Sequence, residues 1–373
     1  MSLDNETRQA YDTKSFYKEY TDGMTADVIG RGFHEDSTRL KSLYKEAIQS
    51  ESKDESSEPV PVHERFLRLM GALGKRLSPV RRLVFGVSFV LFFFYLLFGG
   101  PVQNLAMSVS FFAMIMLIML ELLEKLDVRR EIDLARDIQL SLLPDSKIRM
   151  NGIDYVSFAN TAQEVGGDYL DIIPTKNGTY VIIADVSGKG LSAALYMVRM
   201  QSMVHLLISE GEISPKELLV RLNQNIKSSK RDKTFITACA AYFPNDKEEV
   251  TLVRAGHNAP FLFQEAKGSV TELRSTGFAL GMTRNSTLEK QLKEITLPFL
   301  KSDTLLFYTD GLSEARNSKN EEYGENRLRS LFELYASMPA PSLMIKIQSS
   351  LESFIENERL KDDITFTAVQ RIG

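Results

Sequence analysis

The residues of this chain most able to do chemistry are aspartates. Asp168 stands in Glu164-Val-Gly-Gly-Asp-Tyr169, Asp185 opens Asp185-Val-Ser-Gly-Lys-Gly190, Asp310 lies in Tyr308-Thr-Asp-Gly311, and Asp362 and Asp363 precede Ile364-Thr365. Each sits at the edge of an apolar, strand-like run, and Asp168 and Asp310 have glycine directly beside them. An Asp-Gly step by itself marks a solvated turn, because both residues tolerate turn angles. Strand-end carboxylates gathered by folding, with no matching basic set in the same motifs, would repel one another unless a cation sat among them. A metal cluster is the economical reading. Mg²⁺ and Mn²⁺ are served by carboxylate oxygens and water and leave positions open for a phosphate. Zinc is the poorer match, since His34, His63, His205 and His257 show no ligand spacing.

Six motifs in fixed order carry a family resemblance. They are Ala135-Arg-Asp-Ile-Gln-Leu-Ser-Leu-Leu-Pro144, Glu164-Val-Gly-Gly-Asp-Tyr-Leu-Asp171, Asp185-Val-Ser-Gly-Lys-Gly-Leu-Ser-Ala-Ala194, Ala255-Gly-His-Asn258, Thr309-Asp-Gly-Leu-Ser-Glu-Ala-Arg-Asn317 and Asp362-Asp-Ile-Thr365. From about Leu134 to Arg371 the chain resembles the PPM metal-dependent Ser/Thr protein phosphatases, in their bacterial SpoIIE/RsbU-type branch. The first 120 or so residues lie outside the resemblance. It implies an α+β fold, an α-β-β-α sandwich of two mainly antiparallel sheets flanked by helices. It also implies two divalent cations, Mn²⁺ or Mg²⁺, and a water activated between them that attacks phosphorus in line. By carry-over Asp185 bridges the ions, with the Val186 carbonyl as an added oxygen, and Asp168, Asp310 and Asp362 complete the cluster. Asp363, also a candidate metal ligand, reads rather as a brace for its neighbour. The branch implies a phosphoserine or phosphothreonine substrate on a phosphorylated STAS-type anti-sigma-factor antagonist, in sigma-factor partner switching.

Other residues in these motifs carry two readings. Lys189 is a phosphate contact or a solvated turn lysine, and His257 transfers a proton or positions a strand end. Gly166, Gly167, Gly188, Gly190 and Gly311 meet backbone needs. Cys239 lies in the apolar run Ile236–Phe243 and reads as a buried thiol. The phosphate-binding arginine of the eukaryotic relatives has no clear counterpart, and no leaving-group acid is identifiable. Gly166-Gly167-Asp168 is followed by Tyr169-Leu170 where a diguanylate cyclase has Glu-Phe. Asp185–Gly190 lacks the remainder of a histidine-kinase ATPase box or a P-loop. The rival function is a membrane-tethered pseudophosphatase acting as a scaffold, which predicts a lost carboxylate; all four are present.

The elements that must hold these residues are legible as periodic runs. Strands are expected at Tyr155–Ala159, Tyr169–Ile173, Tyr180–Ala184, Ile236–Phe243, Val250–Ala255, Phe261–Phe263, Ile295–Leu297, Thr304–Tyr308 and Ile364–Val369. Leu191–Ile208 is apolar nearly all round, as for a helix buried on a sheet. Ser214-Pro215-Lys216-Glu217 supplies an N-cap, a first-turn proline and a capping-box glutamate for a helix ending near Ser229. Two more helices fit Glu325–Ala336 and Pro341–Asn357.

At 373 residues, 43% apolar with net charge −4, the chain has room for one ordinary domain plus extra segments, and overall disorder is excluded. No nucleic-acid partner is expected. Leu83–Phe98 and Val102–Leu120 contain no charged residue and would reach about 24 and 28 Å as helices, close to a bilayer core of about 30 Å. Lys75, Arg76, Arg81 and Arg82 precede this hairpin and Lys125, Arg129 and Arg130 follow it, so both flanks face the cytoplasm of a two-pass protein in the bacterial inner membrane. Residues 1–80 then form a cytoplasmic region with a linker at Gln49–Glu58 and a basic amphipathic helix at Val62–Leu77. Residues 81–120 form the transmembrane hairpin, 121–146 a linker helix, and 147–373 the phosphatase domain. The linker helix, Glu121–Leu143, follows a heptad only roughly; it is a relay that pairs two copies of the chain, or a passive spacer.

Overall fold

The computed structural model describes residues 77–98, 101–226, 234–356 and 358–373. The expected N-terminal helices, the Gln49–Glu58 linker and all but the last residue of the amphipathic helix lie outside these residues, as does the end of the helix expected to reach Ser229.

Two compact units divide the chain after Lys125. In the first, helix α1 spans Pro79–Phe98, and helix α2 begins at Pro101 and runs on to Ser141. Ser110 Oγ donates to the Ser88 carbonyl at 2.7 Å, and Arg81 pairs with Glu121 at 3.0 Å and with Glu124. These cross-links make α1 and the first part of α2 a hairpin. Most of its apolar side chains are exposed, including Leu97, Phe112 and Ile118.

The second unit is a layered sandwich. Strands β1 (Lys147–Met150), β2 (Ile153–Asn160), β3 (Tyr169–Pro174) and β4 (Gly178–Val186) lead into helices α3 (Leu191–Ser209) and α4 (Pro215–Ile226). Strands β5 (Ile236–Pro244), β6 (Glu249–Ala255), β7 (Phe261–Gln264) and β8 (Ser269–Glu272) follow, then the short helix α5 (Asn285–Gln291). The chain ends with β9 (Ile295–Pro298), β10 (Thr304–Tyr308), α6 (Asp310–Glu314), α7 (Glu325–Tyr335), α8 (Ala340–Ile355) and β11 (Ile364–Arg371). One sheet has the order β1-β2-β11-β10-β7-β8 and the other β3-β4-β5-β6-β9. Neighbouring strands in both are antiparallel, for example Tyr169 opposite Ala184 and Tyr308 opposite Phe366.

Three apolar layers explain the stacking. Ile182, Ala184 and Ala240 of the five-stranded sheet pack on Met197, Met200, Val204 and Leu222 of α3 and α4. Leu306, Phe366 and Ala368 of the six-stranded sheet pack on Leu328, Phe332, Leu343 and Ile347 of α7 and α8. Between the sheets lie Tyr155, Leu170, Ile183, Leu305, Phe307 and Val369. Alternate residues of one strand thus serve two layers, as the period of 2 requires.

All nine expected strands are present. The structure adds β1 and β8, each four residues of mixed polarity, the polar helix α5 and the five-residue helix α6 to the expected elements. Ser214 Oγ accepts the Glu217 N–H at 3.2 Å as expected of the cap, whereas the Glu217 carboxylate pairs with Arg221 at 2.8 Å. Three helices among the described residues are long and apolar enough to cross a membrane, but one of them is α3, which is packed on the sheet.

Candidate functional site

Antiparallel pairing brings the aspartates together. Asp168 immediately precedes β3 and Asp185 is next to last in β4, at the paired ends of adjacent strands. Asp310 follows β10, and Asp362 and Asp363 precede β11, again at paired ends. Each sheet therefore contributes its own carboxylates.

Their electrostatics show that they share one region. Burial pushes the Asp185 carboxyl up to about 7, and Asp310, Asp362 and Asp363 push the same way against Lys189. Burial also holds Asp168 well above the usual carboxylate range, with Asp185 adding and the Thr365 and Thr309 hydroxyls opposing. Asp310 is raised by burial and by Asp362. These shifts are what like charges in a poorly hydrated site produce. The donor set is all oxygen, which fits hard divalent cations. As placed, the side chains lie in electrostatic reach of one another without converging on one point, and among the described residues no three of His, Cys, Asp or Glu do so.

Asp362 and Asp363, adjacent in sequence, are used differently. Lys189 Nζ donates to Asp362 Oδ2 at 2.6 Å and to the Lys361 carbonyl at 2.5 Å. Asp363 accepts the Ala162 N–H on one oxygen at 2.8 Å and the Gly167 N–H on the other at 2.7 Å. Asp363 thereby ties β11 to the loop that carries Asp168. That loop also explains two glycines, since a Cβ at Gly166 would collide with the Asp363 carboxylate and one at Gly311 with the Asp363 carbonyl. The Val186 carbonyl lies 3.1 Å from where a Gly167 Cβ would stand.

Two contacts were not legible in the sequence. Thr309 Oγ1 lies 2.9 Å from Asp168 Oδ2 and also accepts the Thr365 N–H at 3.0 Å, joining both sheets beneath the carboxylates. Gln139, in the last turns of α2, donates to the Gly166 carbonyl at 2.6 Å and accepts the Gly166 N–H at 3.0 Å. A buried glutamine on an otherwise apolar stripe was the available signal.

Other candidates are placed away from the carboxylates or made inert. His257 is buried and held neutral, pushed down to about 3 by burial and by Arg254, with Nδ1 2.8 Å from Thr237 Oγ1. Its contact with Thr237 joins the Ala255–Asn258 turn to β5. Burial pushes the Cys239 thiol up to about 12, which leaves it unreactive. Asp171 turns away from the cluster and accepts hydrogen bonds from the Tyr169 hydroxyl at 3.0 Å and its own following N–H, with His205 Nε2 at 2.7 Å.

A two-sheet sandwich with acidic strand ends is the architecture of PP2C-type phosphatases. The family described as Stage II sporulation protein E (SpoIIE) matches residues 175–372, more than half of the chain, and the chain belongs to that family. It is 26% identical over 245 residues to phosphoserine phosphatase RsbU of Bacillus subtilis, covering 66% of this chain and 71% of RsbU. Phosphoserine phosphatase RsbP of the same organism is 26% identical over 250 residues, 66% of this chain and 59% of RsbP. Among solved structures, the SiaA-PP2C domain of Pseudomonas aeruginosa superimposes with a TM-score of 0.58 at 20% identity, covering 66% of this chain and 98% of that domain.

Proposed function

We propose that the chain is a membrane-anchored, metal-dependent protein phosphatase that hydrolyses phosphoserine or phosphothreonine on a regulatory protein. The observation that carries this reading is the gathering of four aspartates, two from each sheet; burial and neighbouring carboxylates together raise the proton affinity of Asp168, Asp185 and Asp310. Asp185, Asp168, Asp310, Asp362 and the Val186 carbonyl would hold two divalent cations, Mn²⁺ or Mg²⁺. Bound there, such ions lower the pKa of a water and neutralise phosphate charge. The remaining residues position this machinery. Asp363 fixes the Asp168 loop, Thr309 orients the Asp168 carboxylate, and Gln139 holds the Gly166 peptide.

The substrate in this reading is a phosphorylated STAS-type anti-sigma-factor antagonist, supported by the RsbU and RsbP relationship. Anchoring rests on α1 and the first part of α2, with the two-pass orientation drawn from flanking basic residues. Helix α2 is continuous from Pro101 to Ser141 and places Gln139 on the Asp168 loop, which supports a relay and pairing of two copies of the chain along it. A phosphorylated STAS domain, a phosphotyrosine peptide and a cyclic dinucleotide offered to the full chain with Mn²⁺ test the reading. Phosphate release from phosphoserine supports it; turnover of only the other two refutes it. Reporter fusions at the two termini must give the same sidedness.

A further inference from the structure

A cavity of about 110 Å³ opens beside the carboxylates, between the Asp310 turn and the segment before β11. One water needs about 10–15 Å³ of such space, so the cavity admits a side chain's worth of atoms. Its walls include Asp362 and Gly311 but neither Asp168 nor Asp185, so it lies to one side of the cluster. Leu360 and Ala315 give it an apolar wall, and Lys189, Arg316 and Lys361 surround it with cationic groups.

These cations are not equally committed. Lys189 is held by Asp362, and Arg316 by Glu322 and by the Asn320 carbonyl at 3.4 Å. Lys361 Nζ reaches a neutral group, Asn320 Oδ1, at 3.2 Å, and no carboxylate among the described residues. The wall also holds the Glu314 carboxyl, so an anionic occupant must seat its head on the Lys361 side of the cavity.

We propose that this cavity is a substrate subsite that takes an aspartate or glutamate flanking the phosphoserine, with Lys361 as the residue that reads its carboxylate. An apolar stem against Leu360 and Ala315 with an anionic head at Lys361 suits a short acidic side chain. Because the cavity borders Asp362, its occupant must be a near neighbour of the reacting group in the substrate chain. The inference rests on the phosphoserine phosphatase reading and adds a sequence preference to it.

The test uses the full chain in detergent micelles with Mn²⁺ and phosphoserine peptides carrying Glu, Ala or Lys at the immediately flanking positions. Turnover and peptide binding by fluorescence anisotropy are measured in parallel. The wild type is expected to favour Glu over Lys on at least one side by about tenfold in kcat/KM, the scale of exchanging one partly exposed attraction for a repulsion. Lys361→Glu reverses that preference and Lys361→Arg keeps it. An equal preference in the wild type and Lys361→Glu overturns the proposal. So does a Lys361→Glu variant that loses inhibition by inorganic phosphate while keeping the peptide preference, which makes the cavity a product-phosphate site. Glu-preferring binding that Lys361→Glu reverses, with no peptide hydrolysed, sinks the phosphatase reading and leaves the subsite standing.

Discussion

Replacing Asp185 with asparagine tests whether mutual repulsion defines the cluster. The Asp185 carboxyl is raised from 3.8 to about 7 by burial and by three neighbouring aspartates. A folded-state value above the unfolded one means that the folded protein holds the proton more tightly. The stability this gives is fully present below pH 3.8 and is lost as pH rises through about 7. At about 1.36 kcal/mol per unit the full swing is about 4 kcal/mol, an upper bound, and about 3 kcal/mol of it falls between pH 5 and 8. Asp168, Asp310 and Asp363 are raised as well and act with the same sign. Urea denaturation of the full chain in detergent with excess chelator reads the effect. Wild type should lose stability from pH 5 to 8, and Asp185→Asn should lose much less and be the more stable at pH 8. Added Mn²⁺ should recover the wild type far more than the variant, whose turnover falls by orders of magnitude. Equal stability of chelated wild type at pH 5 and 8, or a variant weaker than wild type at pH 8, refutes the reasoning.

Gln139→Leu strips both partners from the buried Gly166 peptide; it should cost about 1–3 kcal/mol per unsatisfied group and lower turnover at least tenfold, with Gln139→Glu intermediate, as steady-state kinetics and denaturation will show. Gly311→Ala forces a Cβ into the Asp363 carbonyl, so Mn²⁺ affinity measured by calorimetry should fall along with stability. Ile138→Lys places a charge on an exposed apolar position of α2, and if two copies pair there, light scattering should report a smaller particle and kinetics a changed rate.

The sequence makes the sheets legible because β4 and β5 are buried on both faces and carry the apolar runs Tyr180–Ala184 and Ala238–Phe243, while β11 shows itself through β-branched and aromatic residues. β1 and β8 escape because four residues carry too little periodicity, and α5 because its one buried side chain is Leu288. The site aspartates are visible through their glycines and strand ends. Their division of labour is not, since what separates Asp362 from Asp363 is a set of hydrogen bonds to Lys189, Ala162 and Gly167 from distant parts of the chain. Lys361 and Arg316 likewise enter one cavity through folding alone, 45 positions apart.

The carboxylates come in halves, Asp168 and Asp185 from one sheet and Asp310 and Asp362 from the other. The layer between them, with Leu170, Ile183, Leu305 and Phe307, is thus the spacer of a two-jawed vice, and its thickness sets the gap across which the jaws face. Close-packed interiors resist compression and shear. Slippage of one sheet against the other would change all the cross-jaw spacings at once, so side chains that never touch a phosphate still gauge the opening that receives it.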